Sequence, residues 1–170
     1  MKKIFTALVI ALAILAVAGV ASASSPKSMD FAANLSGGQE VPARDTNATG
    51  GAVFHLTPDG SRLKYVLKVE NLDNPFASHI HCGFPGENGP IGVTLFIGSP
   101  SSGEVNGLLA KGTITAPDPG NACAWVTLSD VVDAINNGFA YVNVHTSDGV
   151  DPANTGPGDF PGGEIRGQVH

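Results

Sequence analysis

Two histidines flank an isoleucine in Ser78-His79-Ile80-His81-Cys82-Gly83, and no other segment concentrates as much chemistry. In an extended strand His79 and His81 project to one face and Ile80 to the other. Two imidazoles one strand step apart can converge on a single metal ion. A third comes from Tyr141-Val142-Asn143-Val144-His145. With Val142 and Val144 turned into a core, His145 turns out, as Ile80 in the core sends out His79 and His81. If the two strands are neighbours, three imidazoles meet on the outer surface or rim of a sheet. Such a set suits copper or zinc, with an open position for water or a fourth ligand. Copper(II) is favoured on affinity alone. The competing reading is a wet strand face whose histidines are hydrated or bonded to loop backbone.

Other polar groups carry weaker signals. His55, between Phe54 and Leu56, is expected to be exposed, and His170 is terminal, where order is often lost. Asp148, Asp151, Asn154 and Asp159 lie in one loop without EF-hand spacing, so the loop reads as solvated rather than as a calcium site. Arg166 is placed to pair with Glu164 on one strand face or with another acidic neighbour, a surface pair of little weight. The sequence has no serine elbow, no phosphate-binding glycine loop and no pair of carboxylates in a catalytic setting. Asn34 and Asn47 open sequons that matter only in a glycosylating host.

The elements that must position these groups are short. Gly and Pro punctuate alternating apolar runs, which is the pattern of strands and turns. Strands are expected at 30–35, 51–56, 63–70, 79–82, 92–96, 109–116, 124–126, 139–145 and 164–169. Thr57-Pro58-Asp59-Gly60 between two of them is a hairpin signal. One short helix fits between Ser129 as cap and Gly138 as stop, with Asp130 and Asp133 toward its N-terminal end and Val131, Val132 and Ile135 as its buried stripe. The stretch 147–163, rich in Gly, Pro, Asp and Asn, reads as a long surface loop. The class is all-β, an antiparallel Greek-key β-sandwich with one short helix.

The N-terminus reads as an export signal. Lys2 and Lys3 precede a nearly uninterrupted apolar run over 4–20, and Ala21-Ser22-Ala23 forms a small-x-small cleavage site ahead of Ser24. Residues 1–23 are then a signal peptide and 24–170 one domain, secreted or periplasmic, with no membrane span after cleavage. Cleavage would leave seven basic against fifteen acidic residues and take the net charge from -6 to -8. An acidic chain without a basic cluster is a poor match for nucleic acid or anionic lipid. Cys82 and Cys123 are the only cysteines, and in an oxidising compartment they are expected to form a disulfide.

The chain resembles the chordin-type (CHRD) domain family from about Phe31 to Val169. The likeness is carried by Leu35-Ser36-Gly37-Gly38-Gln39-Glu40-Val41-Pro42, Asp59-Gly60, Leu63-Lys64-Tyr65, Asn71-Leu72, His79-Ile80-His81, Asn88-Gly89-Pro90, Gly112-Thr113-Ile114, Ala140-Tyr141-Val142-Asn143-Val144-His145-Thr146 and Gly163-Glu164-Ile165-Arg166-Gly167-Gln168-Val169. The resemblance implies a β-sandwich and much less about activity: in animals the domain sits in an extracellular antagonist of growth-factor signalling, and it leaves any protein partner of this chain unnamed. A weaker resemblance is to copper–zinc superoxide dismutases, which share an H-x-H strand followed by a Gly-rich loop and a disulfide near the metal. That pattern needs more histidines and a zinc aspartate, and five histidines are present. The expectation is therefore an exported binding module with a copper or zinc site on His79, His81 and His145. A dismutase-like oxidoreductase and a structural or adhesive module stand as alternatives.

Overall fold

The computed structural model describes residues 29–170; the expected signal peptide and cleavage point fall outside the described residues. Eight strands and one helix follow in chain order. They are β1 (Met29–Ser36), β2 (Thr49–Leu56), β3 (Leu63–Asp73), β4 (Pro75–Cys82), β5 (Ile91–Ile97), β6 (Glu104–Ile114), α1 (Leu128–Asn136), β7 (Ala140–Thr146) and β8 (Ile165–Gln168). A single 3-10 turn, Gly37–Gln39, follows β1.

The alternation that defined the strands also sets their faces. In β3, Leu63, Leu67 and Val69 are fully buried while Lys64, Lys68 and Glu70 are exposed. The β2–β3 hairpin turns where expected. Gly60 sits at φ +69, a conformation that favours glycine, and donates its N–H to Thr57 O at 2.8 Å.

All strand pairs are antiparallel, in the order β5-β4-β7-β8-β1-β2-β3-β6. The all-β class with one helix is as expected. The hydrogen bonding, however, joins every strand into one sheet instead of two separate layers. Accumulated strand twist curls that sheet until its edges, β5 and β6, meet across a seam. Tyr65 Oη spans the seam by donating to Leu95 O at 2.6 Å. Near-closure leaves little free edge for unwanted pairing.

The enclosed core includes Phe54, Leu67, Leu72, Ile80, Val142 and Ile165. Each such side chain contributes about 1.5–3 kcal/mol on full burial. Helix α1 lays Val131, Val132 and Ile135 on this core, the expected stripe. Its cap is Thr127 rather than Ser129. Thr127 and Asp130 form a capping box, which Ser129, already in the first turn, has no geometry to make. Gly138, at φ +67, follows the helix end as expected.

Three further expectations change. Residues 124–126 form no strand: Ala124 has φ +59, and the Asn121 side chain takes the backbone partners a strand would need, donating to Asp118 O at 2.8 Å and Trp125 O at 2.7 Å. The 147–163 loop is exposed at first but turns inward at Gly158, Asp159 and Phe160. His170 exchanges backbone hydrogen bonds with Ala32 and so prolongs the pairing of β8 with β1. Among the described residues, no helix is long and apolar enough to cross a membrane.

Candidate metal centre

The site is built on β4 and β7, which lie side by side with Ala77 opposite His145, His79 opposite Asn143 and His81 opposite Tyr141. Ile80, Val142 and Val144 fill the core, so the residues between them stand on the outer face. His79 and His145 are diagonal neighbours there, a separation that side chains of this length bridge. Their rings lie 4.9 Å apart, with His81 5.5 Å from His79 and 5.9 Å from His145. One ring nitrogen from each of the three falls within 4.8 Å of the others. The three residues expected to meet do meet.

Their surroundings differ from the wet face expected. Relative exposure is 8% for His79, 7% for His81 and 8% for His145, because loops cover this part of the sheet. The same loops orient the rings. His81 Nδ1 lies 2.9 Å from Gly89 O, and His145 Nδ1 lies 2.9 Å from Pro161 O. A carbonyl only accepts, so both Nδ1 atoms carry the proton and both Nε2 atoms present lone pairs. His145 Nε2 accepts from His79 Nδ1 at 3.0 Å, whereas His81 Nε2 is buried without a partner. An orphaned acceptor beside two further imidazoles is what a metal ion would satisfy.

Electrostatics keeps the set neutral. Burial lowers the His79 pKa to about 4, helped by His145 and His81, and Asp118 pulls weakly the other way. Burial likewise brings His81 to about 4, and it lowers His145 against the opposing bond to Pro161. Neutral imidazole is the ligating form, so these nitrogens need not lose a charge-bearing proton to bind a cation at pH 7.

Around the trio lies a polar layer that strand periodicity reveals only in part. Tyr141 and Asn143, on the outer face with His145, were legible by the two-residue period. Tyr141 stacks on His81 at 4.9 Å, and its hydroxyl accepts from Gly89 N–H at 3.1 Å, so it supports both the ring and the loop that orients it. Asn143 stands on the same outer face, opposite His79, and its side-chain oxygen is buried without a hydrogen-bond partner. Glu40, buried far from the histidines in sequence, gave no such signal. Burial raises its carboxyl to about 7 against the pull of Arg166 and Arg44.

Glu164 and Arg166 correct the surface-pair expectation. Both are buried, at 0% and 1% exposure, because β8 is central and covered on its outer face too. Each has other partners. Glu164 accepts from Thr46 Oγ1 and Thr146 Oγ1, both at 2.6 Å, and from Gly158 N–H at 2.8 Å. Arg166 lies 3.5 Å over the Tyr141 ring and donates to Phe84 O at 3.0 Å. Cys82 and Cys123 form the expected disulfide, with Cα atoms 5.8 Å apart. It ties the 115–127 loop to the strand residue next to His81.

The profile of the CHRD domain matches residues 31–169. The chain belongs to the CHRD domain family. Membership places it among non-catalytic, extracellular-type modules. No curated protein and no solved structure matches this CHRD domain.

Among the described residues, His79, His81 and His145 are the one group of three or more His, Cys, Asp or Glu side chains close enough to share an ion. His55 is spent elsewhere, on its cross-strand neighbour Asp30 at 2.6 Å on the exposed face of β1 and β2. The second metal site of a dismutase-like pair is therefore not assembled among the described residues.

Proposed function

We propose that this CHRD domain is an exported, non-catalytic binding module that carries one copper or zinc ion on His79, His81 and His145. The observation that carries the metal reading is the buried, unpartnered His81 Nε2, grouped with His79 and with His145, whose ring Pro161 O holds. Hydrogen bonds from ligand imidazoles to fixed carbonyls are a recurrent outer layer of metal sites. Three neutral nitrogens fit copper(II) best and zinc next. Export is supported by the disulfide between the two cysteines, a bond that persists in oxidising compartments.

Calorimetric titration of the purified protein with Cu(II) and Zn(II) tests the metal reading. One tight site per chain is expected, absent from the His79→Ala/His81→Ala double variant. Equally weak binding by both proteins would overturn it. N-terminal sequencing of protein recovered outside the cytoplasm tests export, with Ser24 expected first.

A further inference from the structure

His81 and His145 each direct one ring N–H to a fixed carbonyl. His79 differs. Its Nδ1 is engaged with His145, and its Nε2 has no hydrogen-bond partner among the described residues. Directly across the β4–β5 pair from His79 stands Thr94, and residues so paired project to the same face. The Thr94 hydroxyl donates to Asp118 Oδ2 at 2.6 Å. A carboxylate is thus anchored to the cross-strand neighbour of the one imidazole that lacks an outer partner.

Asp118 is held there by more than Thr94. Its N–H donates to Gly92 O at 2.9 Å, and its carbonyl accepts from Asn121 Nδ2 at 2.8 Å. Farther along the same loop, Trp125 packs on Gly92, where a Cβ would overlap the ring, and Cys123 is bonded to Cys82. Asp118 is also the carboxylate whose charge reaches His79 and favours a proton there. It stands outside the three-nitrogen group, so its place is not that of a ligand.

We infer that Asp118 is the outer-sphere acceptor of the metal-loaded site: ligation through Nδ1 moves the His79 proton from Nδ1 to Nε2, and Asp118 takes that Nε2–H and orients the ring. This inference rests on the metal reading of the three histidines. It also completes the site's chemistry: all three imidazoles then have a fixed acceptor, and one negative charge stands beside a neutral ligand set. Such a carboxylate–histidine–metal arrangement fixes the ring and raises its basicity as a ligand. Asp118 is a positioning residue, since it touches the ligand and not the ion.

The test compares native protein, Asp118→Asn and Thr94→Val. Asn keeps an acceptor for Thr94 and removes the charge, and the metal-free variant should keep its thermal midpoint. Cu(II) affinity is expected to fall roughly 10–100-fold in Asp118→Asn and less in Thr94→Val, whose carboxylate loses only its anchor. Proton NMR of the zinc-loaded protein supplies a readout that general loosening would not give. The His79 Nε2–H resonance should move upfield and exchange faster in Asp118→Asn, while the His81 and His145 Nδ1–H resonances stay. If the native protein and Asp118→Asn bind equally well with an unchanged His79 signal, the role of Asp118 is refuted and the metal site stands. If the native protein binds neither ion, the metal reading fails and takes this inference with it.

Discussion

His79 Nδ1 lies 3.0 Å from His145 Nε2, joining residues 66 positions apart in the chain. The contact exists because β4 and β7 are neighbours with His79 opposite Asn143, which puts His145 one diagonal away on the same face. Its direction is fixed by Pro161 O, which holds the proton on His145 Nδ1 and leaves Nε2 as the acceptor. The ring positions are thus set before any ion arrives, and binding has only to move the His79 proton from Nδ1 to Nε2.

Metal should therefore stabilise the fold by mass action. At a free concentration one hundred times Kd, binding to the folded state alone contributes about 2.7 kcal/mol. For a domain of this size that corresponds to a rise of about 10 °C in the thermal midpoint. Scanning calorimetry with and without Cu(II), then with excess chelator, should show the rise and its reversal. His145→Gln should show neither. A midpoint indifferent to the ion in the native protein would count against binding to the folded state.

The metal-free protein should lose stability in mild acid. His79 and His81 titrate at about 4 when folded, against 6.5 in the unfolded chain. Between those values the unfolded chain holds more protons, so stability rises with pH through that window. Each histidine contributes a slope of about 1.4 kcal/mol per pH unit where the window is fully open. Below about pH 4 both states are protonated and the contribution is flat. Denaturant titrations at pH 5, 6 and 7 should show the slope, and a His79→Gln/His81→Gln variant should reduce it. An equal slope in native and variant protein would place the acid sensitivity elsewhere.

Glu40 should act with the opposite sign. Burial holds its carboxyl at about 7 against 4.5 unfolded, despite Arg166 and Arg44. Between those values the folded protein keeps a proton that the unfolded chain has released. Stability from this group is complete below 4.5 and is lost as pH rises through about 7. Glu40→Gln removes that loss, so the variant should be more stable than the native protein at pH 8, by roughly 1–3 kcal/mol. Destabilisation at pH 8 would instead mean that pairing with Arg166 outweighs the cost of burial.

What the sequence disclosed was periodicity, and what it withheld was coverage. The two-residue period around Ile80 and around Val142 and Val144 put three histidines on the outer face, and that placement holds. The same pattern suggested a wet face, because alternation reports one buried side and is silent about loops folding over the other. Gly89 and Pro161 orient the rings through backbone carbonyls, and a carbonyl has no residue type to read. Glu164 and Arg166 looked like a surface pair for a related reason: nothing local reveals that β8 is central and doubly covered. Thr127 was readable as a cap, since Asp130 follows at the capping-box spacing.

Gly89→Ala should damage fold and site together. A Cβ at Gly89 would overlap the Cys82 carbonyl oxygen, which is backbone and cannot swing aside. The 83–90 loop would be pushed away from β4, carrying off the carbonyl that holds His81 and the amide that meets Tyr141. A destabilisation of about 1–3 kcal/mol is expected, the range for overpacking a closed site. Metal affinity should fall as well. Gly86→Ala is the control, since no heavy atom lies within 4 Å of its added Cβ, although its φ of +82 adds some strain of its own. Unfolding and Cu(II) titration of both variants check this; a smaller effect at Gly89 than at Gly86 would contradict the close approach.

Opening the Cys82–Cys123 bridge should weaken the metal site in proportion to the freedom it returns to one loop. The bond spans 41 positions, and on the chain-entropy account its loss costs about 4 kcal/mol. The released segment includes Asp118 and Trp125, which lie over β5 at Thr94 and Gly92. Hydrogen bonds to three residues, Thr94, Gly92 and Asn121, would still hold Asp118. The expected result for Cys82→Ser/Cys123→Ser is thus a lower thermal midpoint with weakened but measurable Cu(II) binding. His81→Gln should give the reverse, with metal binding lost and the fold retained. Measuring midpoint and affinity on both variants separates stapling from ligation. If the double serine variant kept full affinity, the hydrogen bonds of Asp118 would suffice to hold the loop, and the bridge would serve stability alone.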